Sequence, residues 1–303
     1  MSKDIPSNEH ELAREHRDWL INNLARAQTQ EDRLESALQE ARTSLSPIEL
    51  RTVFEEAQIQ SIAQIQDISH LPVIDRLAYS HNVVIDYQRP ALAQSIEEAM
   101  VRWYQRGDTG AEQDMKWYVA QHQIVIPFSD VLRHAMIDAI AGGMKYAANR
   151  LVKKYAKEVS AIDPHDSDIG PAFAVGLKAT LAAGNAEGAN RLVHLAERVG
   201  CAVDIADQGV SPCIHTGLLH CFQKMGGGIG YVDLAEKMLK FMKKHHVSVD
   251  LNSPDLTDAC ITAVQKTQKS RMPQELRLFT GEASMLAMFK KYGIVIDPIG
   301  NQS

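Results

Sequence analysis

The chain has 303 residues, which is enough for one extended array or two compact domains. Apolar residues make up 45%, charged residues 23% and aromatic residues 6%, a balance typical of a globular protein that favours helix over strand. The formal net charge of −6 argues against a general nucleic-acid binder. The charge is uneven, at −9 over residues 1–130 and +3 over residues 131–303.

The composition also indicates a compartment. Four cysteines in a chain of this length do not suggest a disulfide scaffold, and a reducing environment is the simpler interpretation. The first residues do not resemble a secretory signal, and no apolar run approaches the roughly 20 residues of a membrane helix. We therefore expect a cytoplasmic protein without a membrane span. Delivery into a host cytosol by a specialised secretion system stays open.

The first 45 residues predict a charged helical hairpin. Residues 8–25 place Leu12, Trp19, Leu20 and Leu24 among charges, and a second amphipathic helix is expected over residues 29–43. We interpret residues 1–45 as an N-terminal cap, because a terminal repeat needs a polar outer face. The alternative is a separate arm.

From residue 46 onward, helix starts and turns alternate. Ser46-Pro47-Ile48-Glu49 has the residues of a capping box with proline at the first helical position. Later helix starts are indicated by Ser-Pro or Ser-Asp pairs, and later turns are indicated by glycine. Further helices are expected to start near residues 90, 129, 170, 211 and 253, with turns inside the hairpins at 107–110, 142–143, 184–185 and 226–230.

The stretch from Gly200 to Leu219 shows how one hairpin passes to the next. Gly200 suits the left-handed end of a helix, Ala202-Val203 is a short apolar segment, and the carboxylate of Asp204 can accept from nearby amides. Ser211-Pro212 then predicts an N-cap and a first helical residue. We call each such short segment a junction. The six are Val84–Asp86, Val125–Pro127, Ala161–Asp163, Ala202–Asp204, Ser248–Asp250 and Val295–Asp297.

The junctions recur at a regular interval. Their last apolar residues lie at positions 85, 126, 162, 203, 249 and 296, in steps of 41, 36, 41, 46 and 47. Three residues earlier, Asn82, Gly200, His246 and Gly293 tolerate positive φ, whereas Gln123 and Val159 do not favour it. A step of about 35–45 residues is typical of a solenoid of helix pairs. The sequence thus predicts an all-α, right-handed solenoid of about six degenerate helix–turn–helix repeats over residues 46–303.

Two known classes of repeat are similar to these segments. GYVDLAEKMLKFMKKHHVSVD, residues 230–250, resembles the second helix and exit of an ankyrin repeat. Ala179, Ala189 and Ala235 resemble the small residues at the helix crossings of tetratricopeptide and pentatricopeptide repeats. The resemblance covers about residues 46–298. It implies a divergent α-solenoid, an architecture found among bacterial effectors and the proteins that regulate them.

An aromatic pattern occurs twice within one predicted hairpin. Trp103-Tyr104 and Trp117-Tyr118 each follow a cation, Arg102 or Lys116. Trp, Tyr and Arg dominate interface hot spots, so these six residues are a candidate anchor for a partner protein. The alternative is that the rings pack between hairpins.

Cysteine and histidine residues cluster around the fourth junction, at Cys201, Cys213, His215, His220 and Cys221. Zinc sites use such ligands, but the closely spaced cysteine pair of a zinc motif is missing. Residues 226–230 follow a helix and lack the lysine of a phosphate loop. We therefore expect no metal, no cofactor and no catalytic residues.

Lysines cluster on the second helices of two predicted hairpins. The candidate contacts are Lys153, Lys154, Lys240, Lys243 and Lys244. Aligned along one side of an array, they would attract an acidic protein surface or RNA. The alternative is a solvated helix face.

These features favour a non-catalytic module that binds one protein and regulates or inhibits it, such as an effector enzyme or a toxin. RNA binding by a pentatricopeptide-like array is the alternative, and the charge of −9 over residues 1–130 speaks against it. An enzyme built on the cysteine–histidine cluster has no nucleophile-and-base signature.

Overall fold

The computed structural model describes residues 7–26, 31–64, 68–203, 205, 209–225, 229–269 and 282–296. Within these ranges the chain forms 14 α-helices and no strand, as the composition predicts. No helix there is long and apolar enough to cross a membrane. The helices are α1 Ser7–Leu24, α2 Glu31–Ser44, α3 Pro47–Gln64, α4 Leu71–Ser80, α5 Pro90–Arg106, α6 Thr109–Gln121, α7 Phe128–Ala141, α8 Lys145–Glu158, α9 Ile169–Ala182, α10 Ala186–Arg198, α11 Val210–Met225, α12 Ile229–Lys244, α13 Pro254–Lys269 and α14 Glu282–Tyr292.

The chain divides into two compact units, residues 1–135 and 136–303, with the division inside α7. In the first unit, α3 packs against α1, α2, α4 and α5, and α5 packs against α6. In the second unit the helices form two rows. The odd-numbered helices α9, α11 and α13 pack side by side, while α8, α10, α12 and α14 pack in the same order in a second row.

Five of the six hairpin exits use a residue in the left-handed conformation. Asn82, Gly200, His246 and Gly293 have φ between 55° and 77°, as their residue types predict. Gln123 also has a φ of 54°, so the expectation that it would end its helix differently is wrong. The residue type of Gln123 does not predict this positive φ. The helix exit imposes it, because the Ile124 amide donates to the Val119 carbonyl at 3.0 Å.

The exit at Val159 differs, as its β-branched side chain predicts. Its φ is −118°, and the Ser160 amide still donates to the Tyr155 carbonyl at 3.3 Å. The helix is therefore closed by the same backbone bond without a residue at positive φ.

The aspartates that end three of the junctions accept hydrogen bonds that close tight turns. Asp86, Asp163 and Asp250 each accept from the amide two residues later, at 2.9–3.0 Å. This is the role predicted from Asp204, which lies outside the described residues, as do Asp297 and the glycine turn at 226–228. The turns fix the direction in which the chain enters the next hairpin.

Two predicted helix caps have different outcomes. The capping box is confirmed, because the Ser46 amide donates to Glu49 Oε2 at 2.8 Å and the Glu49 amide donates to Ser46 Oγ at 3.3 Å. Ser211 is not an N-cap, since α11 begins one residue earlier, at Val210. The Ser211 hydroxyl instead donates to the Ser248 carbonyl of the next junction at 2.6 Å.

Side chains join consecutive junctions in a repeated way. The Gln88 side-chain amide donates to the carbonyl of Gln123 at 3.0 Å, and the Asn252 side-chain amide donates to the carbonyl of Gly293 at 3.4 Å. In each case the donor lies two residues after a junction aspartate, and the acceptor is the left-handed residue of the following junction. Neighbouring hairpins within a unit are therefore tied at their ends.

Two glycines allow the odd-numbered helices of the second unit to touch. A Cβ at Gly176 on α9 would overlap the carbonyl oxygen of Ile140, and a Cβ at Gly217 on α11 would overlap that of Leu181. Gly176 and Gly217 are 41 residues apart, as are Ile140 and Leu181. The α7–α9 pair and the α9–α11 pair thus make the same contact, one repeat apart.

We expect Gly217→Ala to destabilise the protein by about 3 kcal/mol, because the added methyl meets backbone that must move. Gly230→Ala is the matched control, since a Cβ there meets nothing within 4 Å. Its free energy of unfolding should stay equal or rise by about 0.5 kcal/mol. Urea denaturation of both variants checks this, and equal stability of the two would contradict the close contact at Gly217.

Candidate functional site

The four aromatic residues of the predicted anchor have different environments. Trp103 and Tyr104 on α5 are 2% and 3% exposed, and Tyr118 on α6 is 1% exposed. Adjacent positions 103 and 104 are both buried because α5 packs against α3 and against α6. Trp117 is 62% exposed. The expected anchor of four rings is corrected to one accessible ring, and the other three belong to the core.

The two cations of that pattern have local roles. Arg102 Nη2 donates to the carbonyls of Ile62 and Ala63 at 3.5 and 3.4 Å, near the end of α3. A cation there satisfies carbonyls that the helix leaves open. Lys116 Nζ pairs with Glu112 Oε1 at 2.7 Å and lies 5.6 Å from the centre of the Phe128 ring. Both cations therefore stabilise their own unit.

A partly buried polar cluster surrounds Asp75 on α4, and sequence reasoning missed it. Gln58 Nε2 donates to Asp75 Oδ1 at 2.7 Å, and the Tyr118 hydroxyl lies 3.4 Å from the same oxygen. His122 Nε2 is 3.2 Å from Asp75 Oδ2, and its ring stacks on Tyr87 with centroids 4.0 Å apart. We call these five residues the Asp75 cluster. No local pattern links them, since they come from α3, α4, α6 and two connecting segments.

Burial controls the protonation of the cluster. It raises the pKa of Asp75, against the lowering effect of the Tyr87, His122, Gln58 and Tyr118 contacts. Burial lowers the pKa of His122, against the raising effect of the Asp75 charge. The pKa values of both tyrosines are raised, first by burial and then by the charge of Asp75.

The cluster continues into a second set of paired charges. Arg89 Nη1 is 3.3 Å from Glu55 Oε2, and Arg89 Nη2 donates to Gln58 Oε1 at 3.3 Å. Glu55 Oε1 also accepts from Arg51 Nε at 2.8 Å and from the Asp86 amide at 3.1 Å. The polar groups are satisfied by one another and join α3, α4 and α6 to the first junction. The arrangement therefore has a structural role, because it fixes these helices and the junction relative to one another.

Two cysteines of the candidate metal cluster, Cys201 and Cys221, are buried. Burial, followed by the charges of Asp163 and Asp166, raises the pKa of Cys201, and burial raises that of Cys221 to about 11. A raised pKa disfavours the nucleophilic thiolate. His215 Nε2 lies 3.2 Å from Ser253 Oγ and 3.3 Å from Asp255 Oδ1. Among the described residues, no group of three or more His, Cys, Asp and Glu could hold a metal ion.

The predicted lysines lie on helices of one row. Helices α8 and α12 both pack against α10, and α14 packs against α12. We call the surface of α8, α10, α12 and α14 the basic helix row. These helices carry 13 Lys and Arg against 6 Asp and Glu, whereas α9, α11 and α13 carry 4 against 2. Positive charge is thus concentrated on one row of the second unit.

Ion pairs cross the basic helix row and hold it together. Glu187 on α10 lies 3.7 Å from Lys145 on α8 and 3.9 Å from Lys237 on α12. Lys291 on α14 pairs with Glu236 on α12 at 2.8 Å. The row keeps a net positive charge, because its 13 Lys and Arg exceed its 6 Asp and Glu.

The individual candidate lysines differ in their neighbours. Lys154 pairs with Glu158 at 2.9 Å, Lys240 pairs with Glu236 at 3.3 Å, and Lys244 donates to Asn190 Oδ1 at 3.3 Å. Lys153 and Lys243 are exposed and form no ion pair with any residue that the structure describes. Among the five candidate lysines, these two therefore have an exposed charge without an ion-pair neighbour among the described residues.

No protein-family model matches the chain, and comparison with curated proteins and with solved structures finds no match.

We expect His122→Gln to flatten the dependence of stability on pH between about 7.5 and 6. Burial lowers the pKa of folded His122, so the unfolded state binds protons first and the wild type loses stability as pH falls. Asp75 acts in the opposite direction because its folded pKa is raised. Urea denaturation across this range compares the two slopes. Equal slopes would show that His122 does not contribute.

We expect Trp103→Ala to cost about 3–5 kcal/mol of stability, because it removes a buried ring from the core. Trp117→Ala should change stability by no more than about 0.5 kcal/mol, since most of that side chain is in solvent. Thermal and urea denaturation test the pair. A large loss in the Trp117 variant would mean that this ring is not an accessible contact.

Proposed function

We propose that the chain is a non-catalytic protein-interaction module that binds one protein and regulates or inhibits it. In this proposal residues 46–303 form a right-handed solenoid of about six degenerate helix–turn–helix repeats, and residues 1–45 form the N-terminal helical cap. An acidic surface of the partner docks on the basic helix row. The observation that carries the proposal is the concentration of exposed lysine on that row.

Several features support the repeat architecture. The two-row packing of the second unit is the arrangement that stacked hairpins produce. The glycine contacts at Gly176 and Gly217 recur at an interval of 41 residues, and side chains tie consecutive junctions. Each hairpin thus buries its apolar faces against its neighbours, and one edge of the array remains for a partner.

The charge pattern favours a protein over RNA. Positive groups on the basic helix row alternate with Glu187, Asp233 and Glu236. A partner protein can match a mixed pattern with its own acids and bases, whereas a phosphate backbone presents negative charge alone and would be repelled at each carboxylate. Electrostatic matching of this kind sets orientation and association rate.

Affinity capture with the full chain from its native cell, followed by mass spectrometry, tests the proposal directly. We expect one protein to co-purify at a fixed stoichiometry. Salt-sensitive binding of single-stranded RNA without a protein partner would replace the proposal with an RNA-binding function. Turnover of a captured small substrate would replace it with an enzymatic one.

We expect the double variant Lys153→Glu and Lys243→Glu to bind the captured partner about tenfold more weakly, a loss of about 1.4 kcal/mol. Both lysines are exposed, so the variant should fold normally. Lys266→Glu on α13 is the control, because it reverses an exposed charge on the other row of the same unit. Titration calorimetry at two salt concentrations measures the effect. Equal weakening by the control would contradict the assignment of the surface.

A further inference from the structure

A cleft of about 480 Å³ lies in the first unit, between the α2–α3 turn and the segment that follows α4. One wall contains Leu45, Ile48 and Arg51, and the other contains His81 and Val84. Its volume is in the range of sites that accept small molecules or a few side chains. None of its lining residues belongs to the five residues of the Asp75 cluster or to the basic helix row, although Arg51 contacts Glu55 in the neighbouring set of paired charges.

The edges of the cleft are apolar and uncovered. Ile48 is 77% exposed, and Val84 on the opposite edge is 80% exposed. Two large apolar side chains facing one depression form the kind of exposed patch that marks an interaction site. Because these edges stand in solvent, they would not enclose a small molecule, and they suit the side chains of an extended peptide better.

Two guanidinium groups give the cleft its charge. Arg42, in the last turn of α2, is exposed. Arg51 is oriented from behind by Glu55 at 2.8 Å and Asp86 at 3.6 Å, and neither of these carboxylates lines the cleft. Among the described lining residues there is no Asp or Glu. An oriented guanidinium with remaining N–H groups is well suited to a carboxylate.

One wall contains a buried histidine beside a carboxylate. His81 has 2% of its side chain exposed, and neither ring nitrogen makes a hydrogen bond to a described residue, although Nε2 lies 3.2 Å from Glu35 Oε1. Buried polar groups without hydrogen bonds are few in proteins and occur at functional sites. Nε2 faces Glu35, which does not line the cleft, so the assignment of the cleft rests on its apolar edges and its arginines.

We propose that the cleft binds a short segment of a partner protein in which an apolar side chain is adjacent to Asp or Glu. The apolar side chain packs between Ile48 and Val84, and the carboxylate is held by Arg42 and Arg51. This inference rests on the proposed protein-binding function, but it names a second, independent contact in the first unit. A larger acidic surface on the basic helix row and a short segment in the cleft would together select one partner.

Selection of peptides from a random library on the full chain tests the inference. We expect enriched sequences in which an apolar residue neighbours Asp or Glu, and we expect a synthetic peptide of that sequence to bind. Ile48→Asp and Arg42→Gln should each weaken this peptide by about tenfold or more. Both side chains are exposed, so the variants should keep the wild-type thermal stability. Replacing the acidic residue of the peptide by Gln or Asn should weaken binding as Arg42→Gln does.

The Lys153→Glu, Lys243→Glu variant separates this site from the proposed function. It should bind the selected peptide as tightly as the wild type while binding the captured partner more weakly. Enrichment of no peptide, enrichment of sequences without a carboxylate, or binding that Ile48→Asp leaves unchanged would each overturn the inference. Failure of partner capture with successful peptide selection would overturn only the basic-row assignment.

Discussion

The structure depends on the backbone bonds that end the second helix of each hairpin. At five of six exits a residue at positive φ lets the next amide reach back to a carbonyl five residues earlier, as the Ile124 amide does to Val119. The bond satisfies a helix end that would otherwise be buried and open, and it reverses the chain within a few residues. At the sixth exit the Ser160 amide makes the same bond to Tyr155 without a residue at positive φ. The Gly176 contact spans that exit as the Gly217 contact spans the exit at Gly200, so the shared feature is the bond and not the positive φ.

The two units use their charged side chains differently. In the first unit the charges around Glu55 and Asp75 pair with one another, and burial there shifts the pKa values of Asp75 and His122. In the second unit the charges gather on one row of helices, where lysines outnumber the carboxylates that pair with them. Buried pairs of the first kind fix conformation, while exposed charges of the second kind act mainly on encounter and orientation. This difference supports the proposal that a partner protein binds the lysines.

Much of the fold could be predicted because its signals are local. Turn residues, the Ser46 capping box and the spacing of the junctions all lie within a few residues of the structure they specify. The expectation for Gln123 was wrong, because the helix exit imposes a positive φ that glutamine does not favour. Burial of Trp103 and Tyr104 depends on two different helices that pack on α5, and the Asp75 cluster joins side chains as far apart as Gln58 and His122. Such contacts leave no mark in a single sequence.

The burial of the cysteines has a consequence for how the protein responds to oxidants. With pKa values of about 11 and 12, Cys221 and Cys260 hold only about one thiolate in ten thousand or fewer at pH 7. None of the four cysteines forms a disulfide. The side chains of both residues are also fully buried, so oxidation or alkylation at these two positions requires the helices to separate first.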